Sequence, residues 1–233
     1  MISFAAVAPH GDVESHPELL AAMQGLGRRY PGGTAVVVSP HSVHVEGHFA
    51  VAVSGRVGEH EVDRQAALAL VEAARTDGLP VVGVSYGGND PAEAELPLDW
   101  GTEVPLRYVP AERIVVVAPA RDRPLEEHVR LGELIGASTS VSRALIASAD
   151  HAHTHDAAGP YGFDPAAAAY DARFRECCAT GDFRPLAELV EPARADSLWQ
   201  LLVLQGATGG RPLELLAYAA PTYYGMAVAI AAA

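Results

Sequence analysis

The chain contains no lysine, so its 16 basic residues are all arginines, and they face 29 acidic residues for a formal charge of −13. Phosphate binding needs a basic stripe, which argues against a nucleic-acid partner. Cysteine is nearly absent. Cys177 and Cys178 are adjacent and cannot staple distant segments, so no disulfide framework is expected and a reducing, cytoplasmic setting fits. In RFRECCATGD they read as ordinary helix residues rather than as a redox or soft-metal pair. No apolar run reaches the roughly 18–20 residues of a membrane span, and the N-terminus lacks a basic region followed by an apolar stretch, so a soluble, untargeted chain is expected. Walker and dinucleotide fingerprints are missing, and Gly87-Gly88 is too short to cradle phosphate. There is no internal repeat.

What is present is a set of apolar runs that stop at histidine. Residues 2–9 (ISFAAVAP) end in His10, with Asp12 just beyond. Residues 34–40 (TAVVVSP) end in His41, with His44 close behind. Residues 144–147 (ALIA) lead through Ser148 and Asp150 into His151, His153 and His155, spaced two apart. Each run reads as a buried strand that delivers polar side chains beyond its carboxyl end. Three strands thus point at one polar place.

Between them the pattern alternates. Helices are expected over 17–30 (with Ser15 as N-cap), 63–77 and 125–135, and strands over 49–54, 81–86 and 113–119. A polar, Gly- and Pro-bearing loop covers 87–97, and 98–106 follows it. Farther on, helices are expected over 165–180, 183–190 and 195–207. Closing strands at 213–220 and 226–232 are joined by a hairpin-like return. Continuous apolar strands alternating with helices predict an α/β fold, a single domain over 1–233 with a central mostly parallel or mixed sheet flanked by helices.

Two strand-end histidines plus a carboxylate suit a non-haem Fe(II) with open positions, and zinc accepts the same ligands. After the second strand, His41 and His44 compete for the ligand role. His153 is a candidate general acid/base, with Asp150 close enough in sequence to orient it; the bland alternative is a solvent-facing histidine-rich loop. His16, His48, His60 and His128 read as structural.

In these motifs the chain resembles the class III extradiol ring-cleaving dioxygenases, the LigB-like superfamily that also holds the Memo-like proteins. The order of motifs matches over nearly the whole chain. APHGD places His10 at the family's first metal-binding histidine, SPH places His41 at the second, and SADHAH followed by GPYGFDP places His153 at the catalytic histidine. The resemblance implies an Fe(II) cofactor, a catechol-type aromatic and dioxygen as reactants, an oxidoreductase role in aromatic compound metabolism, and either self-association or a small partner subunit. It departs from the family at two places. LDWGTEVPL carries Trp100 where relatives have an active-site histidine. The family's third ligand falls on Asp196 or Ser197, and a register shift of one makes it Asp196. A neutral serine is a poor ligand, whereas a carboxylate would relieve the charge of a divalent ion held by two neutral imidazoles. Asp12 and Glu214 are the rival carboxylates, and N-capping of the following helix is the competing role for Asp196. A Memo-like metal- or ligand-binding protein and a zinc hydrolase with a metal-activated water are the alternative functions.

Overall fold

The computed structural model describes residues 2–138 and 144–231. In chain order it comprises β1 (Phe4–Ala8), α1 (Pro17–Arg29), β2 (Thr34–Val38), β3 (Phe49–Ala52), β4 (Arg56–Val57), β5 (His60–Glu61), α2 (Arg64–Thr76), β6 (Val81–Val84), β7 (Glu95–Leu96), α3 (Trp100–Leu106), β8 (Arg113–Ala118), α4 (Leu125–Ala137), β9 (Ala144–Ser148), α5 (Ala166–Thr180), α6 (Ala187–Ala193), α7 (Leu198–Thr208), β10 (Leu213–Ala219) and β11 (Met226–Ala231). Ala232, which the pattern includes in the last strand, lies outside the described residues.

An eight-stranded sheet runs β10-β11-β1-β9-β2-β8-β3-β6. Its middle four strands, β1, β9, β2 and β8, are mutually parallel, and all their residues are buried except Thr34 and Arg113 at the entrances of β2 and β8. Burial on both faces explains why these strands read as unbroken Val/Ile/Ala runs rather than as alternating patterns. Direction reverses on both sides of these four: β3 lies antiparallel to β8 and β11 antiparallel to β1, while edge strand β10, antiparallel to β11, runs with the middle strands again. The sheet is therefore mixed, and the chain is a single α/β domain with helices flanking it. Among the described residues, no helix is long and apolar enough to cross a membrane.

Local signals account for most elements and fail at three. Helix α1 starts at Pro17 without a side-chain cap, because the Ser15 hydroxyl donates to Asp12 Oδ2 (2.6 Å) instead. Segment 98–106 contains α3, opened by Asp99, whose carboxylate accepts from Thr102 N–H (3.0 Å). The loop at 87–97 includes β7, which pairs with β4 and, through it, β5 in a small second sheet. Two-residue strands carry too little pattern to be read. Cys177 and Cys178 are buried and unbridged in α5, with burial pushing their thiols up to about 11 and about 12. They are inert packing residues.

Helix α7 is apolar all round and buried from Gln200 to Ala207. Its closest neighbour is α4, and the contact is backbone against backbone. A Cβ on Gly132 would run into the Val203 carbonyl oxygen, one on Gly136 into that of Ala207, and one on Gly206 into that of Val129. The Gln200 side-chain amide donates to the Ser148 carbonyl at the end of β9 (3.1 Å). These contacts fix where α7 begins, and hence where Asp196 stands. We expect Gly206→Ala to destabilise the protein by about 1–3 kcal/mol or more through overlap with a backbone that cannot yield. By contrast, Gly25→Ala in α1, whose nearest neighbour would be the Arg28 guanidinium at 3.8 Å, should gain about 0.5–1 kcal/mol of helix propensity. Urea unfolding of both variants checks the contrast; equal effects would contradict it.

Candidate functional site

The register of the middle strands builds the site. Ala8 of β1 lies opposite Ser148 of β9, so two residues farther along His10 meets Asp150. The His10 N–H donates to Asp150 Oδ1 (3.1 Å), and its ring Nδ1 hydrogen-bonds Ser148 Oγ (3.0 Å). With Nδ1 engaged, Nε2 is turned outward. On the other side of β9, three residues beyond the end of β2, stands His41, whose Nε2 lies 3.1 Å from His10 Nε2. Asp196, just before α7, completes the group: its Oδ2 is 3.8 Å from His10 Nε2 and 3.7 Å from His41 Nε2. Next along the sheet, β8 is followed by Arg121, whose Nη2 is 4.0 Å from the same oxygen.

His10, His41 and Asp196 together form a group able to hold a metal ion, with all three ligand atoms within 4.8 Å of one another. Two ligands on one ion at bonds of about 2.0–2.2 Å stand roughly 3.0–3.5 Å apart, close to the separations seen here. The electrostatics favour an ion as well. Burial lowers the His10 pKa well below its ordinary value, and His41 adds to that. Burial also lowers His41, opposed by the nearby Asp99 carboxylate. Both imidazoles are thus held neutral, the form that coordinates metals. Burial pushes Asp196 up to about 7, and raises Asp150 well above the carboxylate range with Asp196 contributing. One Asp196 oxygen, Oδ1, is buried without a hydrogen-bond partner. A cation would compensate these desolvated carboxyls.

Asp196 does not cap α7. Ser197 holds the N-cap position, makes no capping bond, and instead engages the Tyr170 hydroxyl (2.6 Å) and His151 Nδ1 (3.2 Å). The rival carboxylates are elsewhere: Asp12 is exposed and bonded to Ser15, and exposed Glu214 pairs with Arg29 at 3.6 Å. His44 lines the cleft as an exposed residue and is outside the metal-capable group. His41 is braced from behind, because its N–H donates to Ser39 Oγ (3.3 Å), which in turn donates to Asp99 Oδ1 (2.5 Å). The Trp100 ring lies 4.2 Å from the His41 ring and is 56% exposed.

The alternating histidines part ways. His151 is fully buried beside Phe174, its pKa lowered to about 3 by burial. His155 turns to Asp171 (3.4 Å), which also accepts from the Tyr218 hydroxyl. His153 alone of the three faces the cleft, stacked at 5.7 Å on Tyr224 and near Tyr161 and Tyr223. Burial lowers its pKa, and its Nδ1 is without a partner. Asp150 does not orient it. The β1–β9 register commits Asp150 to His10, 3.5 Å from Nε2 as well as bonded to the backbone. The resulting cleft has a volume of about 830 Å³. Arg121, Trp199 and the three tyrosines were not singled out from the sequence. Arg121 had a readable signal, since APARD follows an apolar strand just as APHGD does; the tyrosines sit in loops with no period to mark them.

An α/β domain with a His-His-Asp group, its histidines beyond the carboxyl ends of two parallel strands that flank β9 and its aspartate just before α7, is the class these observations define. No family model matches the chain, and no curated protein matches it. Among solved structures, the fold is similar to the crystal structure of uncharacterized protein JW3007 from Escherichia coli K12. The TM-score is 0.67 at 16% identity, over 98% of this chain and 99% of that one. The likeness extends to the fold.

The Asp196 shift has a sign that can be tested. The folded chain keeps this proton up to about pH 7, whereas an unfolded chain releases it near pH 4. Its stabilising contribution is complete below about pH 4 and is lost as pH rises through 7, on the order of a few kcal/mol. Asp196→Asn removes this dependence without removing a cap. In metal-free protein, the Tm of the variant minus that of wild type should therefore grow from pH 5 to pH 8. Calorimetry in chelator gives this difference, and a flat profile would contradict the assignment.

Proposed function

We propose that this protein is a non-haem Fe(II) dioxygenase acting on a catechol-type aromatic by extradiol ring cleavage. The observation that carries the reading is the convergence of the His10 and His41 Nε2 atoms and the Asp196 carboxylate, one oxygen of which is buried without a hydrogen-bond partner, on a single point beside a histidine in an aromatic-walled cleft. His10, His41 and Asp196 would hold the ion. An Fe(II) held there would supply open coordination positions and redox chemistry for a catecholate and dioxygen.

The chain's own residues do the rest. Ser148 fixes the His10 ring, and Ser39 with Asp99 fixes the His41 segment, so both nitrogens are presented in place. His153 is neutral at pH 7 because burial disfavours its charged form, and it is ready to accept a hydroxyl proton from the diol and return it to a product oxygen. Tyr224, stacked on His153, holds the ring flat against the cleft wall, and Gly11 allows this because a Cβ there would strike the Tyr224 ring. Trp100 and Tyr161 line the cleft.

A Memo-like binding role is the second reading, and Trp100 favours it. An indole over His41 replaces the histidine of active relatives and offers no acid or base. Oxygen uptake on catechols by protein loaded anaerobically with Fe(II) separates the two. We expect uptake by wild type, and a loss of about 10²–10⁴-fold in His153→Gln with metal content unchanged. Zinc-loaded or metal-free protein as isolated, with no uptake after Fe(II) loading, would move the assignment to the binding role. A separate expectation concerns the ligands: His10→Ala and His41→Ala should each lose most bound metal yet remain folded, because each ring lies beyond the end of its strand. Metal analysis with circular dichroism checks this, and wild-type occupancy in either variant would remove that residue from the ligand set.

A further inference from the structure

We propose that Arg121 is an anion-recognition residue that receives a carboxylate carried by the aromatic ligand, an assignment that rests on reading the cleft as a catechol site. Arg121 follows β8, the strand beside β2, and lines the cleft together with His10, His41 and His153. Its guanidinium lies 4.9 Å over the Trp199 ring, which restrains the planar group while leaving its N–H edge free. The nearest carboxylate oxygen, Asp196 Oδ2, is 4.0 Å away and beyond hydrogen-bonding distance. Among the described residues, no acceptor engages this fork. The side chain is 39% exposed, so an incoming ligand would displace water from it.

Several other arginines of this chain are committed to carboxylates. Arg194, also at the cleft, meets Glu191 at 2.5 Å. Arg123 binds Glu127 through two nitrogens at 2.9 and 2.6 Å, and Arg130 binds Asp77 at 2.6 and 2.5 Å. Arg121 differs from these in facing the cleft, stacked, with no hydrogen bond to a carboxylate, in a chain of net charge −13. One planar fork matches one carboxylate in bidentate geometry. A phosphate would call for further cations, and the cleft supplies only Arg194, already paired. The flat walls formed by Trp199, Tyr223 and Tyr224 fit an aromatic ring bearing that carboxylate.

The test uses binding rather than turnover. Trp100 and Trp199 both line the cleft, so intrinsic fluorescence of the full-length, metal-free protein reports occupancy. The probes are 3,4-dihydroxybenzoate and its neutral carboxamide, which share the diol and differ in charge. Wild type should bind the acid about tenfold or more tightly than the amide. Arg121→Gln should abolish that preference and leave amide affinity unchanged, while Arg121→Lys, which keeps charge but loses the fork, should retain part of it. Equal affinity of wild type for acid and amide would overturn the proposal. So would survival of the preference in Arg121→Gln, or an equal loss for both probes, which would make Arg121 a support for Asp196 or the ring. Neither metal nor oxygen takes part, so an acid preference without oxygen uptake would sink ring cleavage and keep the anion site. Oxygen uptake without acid preference would do the reverse.

Discussion

The pairing of β1 with β9 is the constraint on which the rest of the cleft depends. Their parallel register sets Ala8 against Ser148, and everything distinctive follows from the next two residues of each strand. His10 is seated on Asp150 and Ser148, its Nδ1 is consumed, and its Nε2 faces outward. Because β2 pairs with the opposite edge of β9, Val38 aligns with Ala147 and His41 arrives at the same height. A slip of one residue in either pairing would turn the strand's side chains to the other face and separate the two rings. Continuous burial of these strands resists such a slip, since any shift would place polar strand-end residues in the core.

Electrostatics then makes the assembled group costly in its own terms. Asp150 and Asp196 are both desolvated, and Asp196 further raises the proton affinity of Asp150, while the adjacent imidazoles are held neutral. Such an arrangement is a poor way to stabilise a fold, because buried charges repay their desolvation only when paired. It persists because rigid neighbours over-determine it. The glycine-mediated contact of α4 and α7 anchors one side, and the Gln200–Ser148 bond ties α7 to the strand that positions His10. The site is thus strained electrostatically and secured mechanically, the usual balance at functional centres.

Much of this was legible in the sequence, and the boundary is physical. Strand ends were readable because an unbroken apolar run that stops at histidine leaves little else for the chain to do; hence His10, His41 and the turn at His153. The α/β class followed from alternation. Topology did not, since nothing in residues 49–52 states that β3 runs antiparallel to β8. Asp150 was assigned to the wrong histidine because proximity in sequence favoured His153, while the β1–β9 register favoured His10. Helix α3 was left unread because a seven-residue helix with Pro105 near its end carries almost no period, although Asp99 and Thr102 mark its start. The tyrosine wall depends on loops meeting across the cleft, information that no local pattern contains.

The two ends of the cleft differ in how they are held, and that difference bears on function. His10, His41 and Arg121 follow parallel strands, and Asp196 leads directly into a buried helix. Tyr161, Tyr223 and Arg194 belong to connecting segments, with Arg194 in a left-handed conformation at the end of α6. Loops tolerate substitution far better than strand ends do. Chemistry that needs three ligand atoms in fixed relation belongs at the rigid end, and recognition that changes with the ligand belongs at the other. Arg121, proposed above as a recognition residue, is the exception, because it stands at the rigid end. A guanidinium carried just beyond a strand end and stacked on Trp199 is held much as the metal-capable group beside it is, so under the proposed reading a ligand's charge would be selected with the same geometric strictness as its diol.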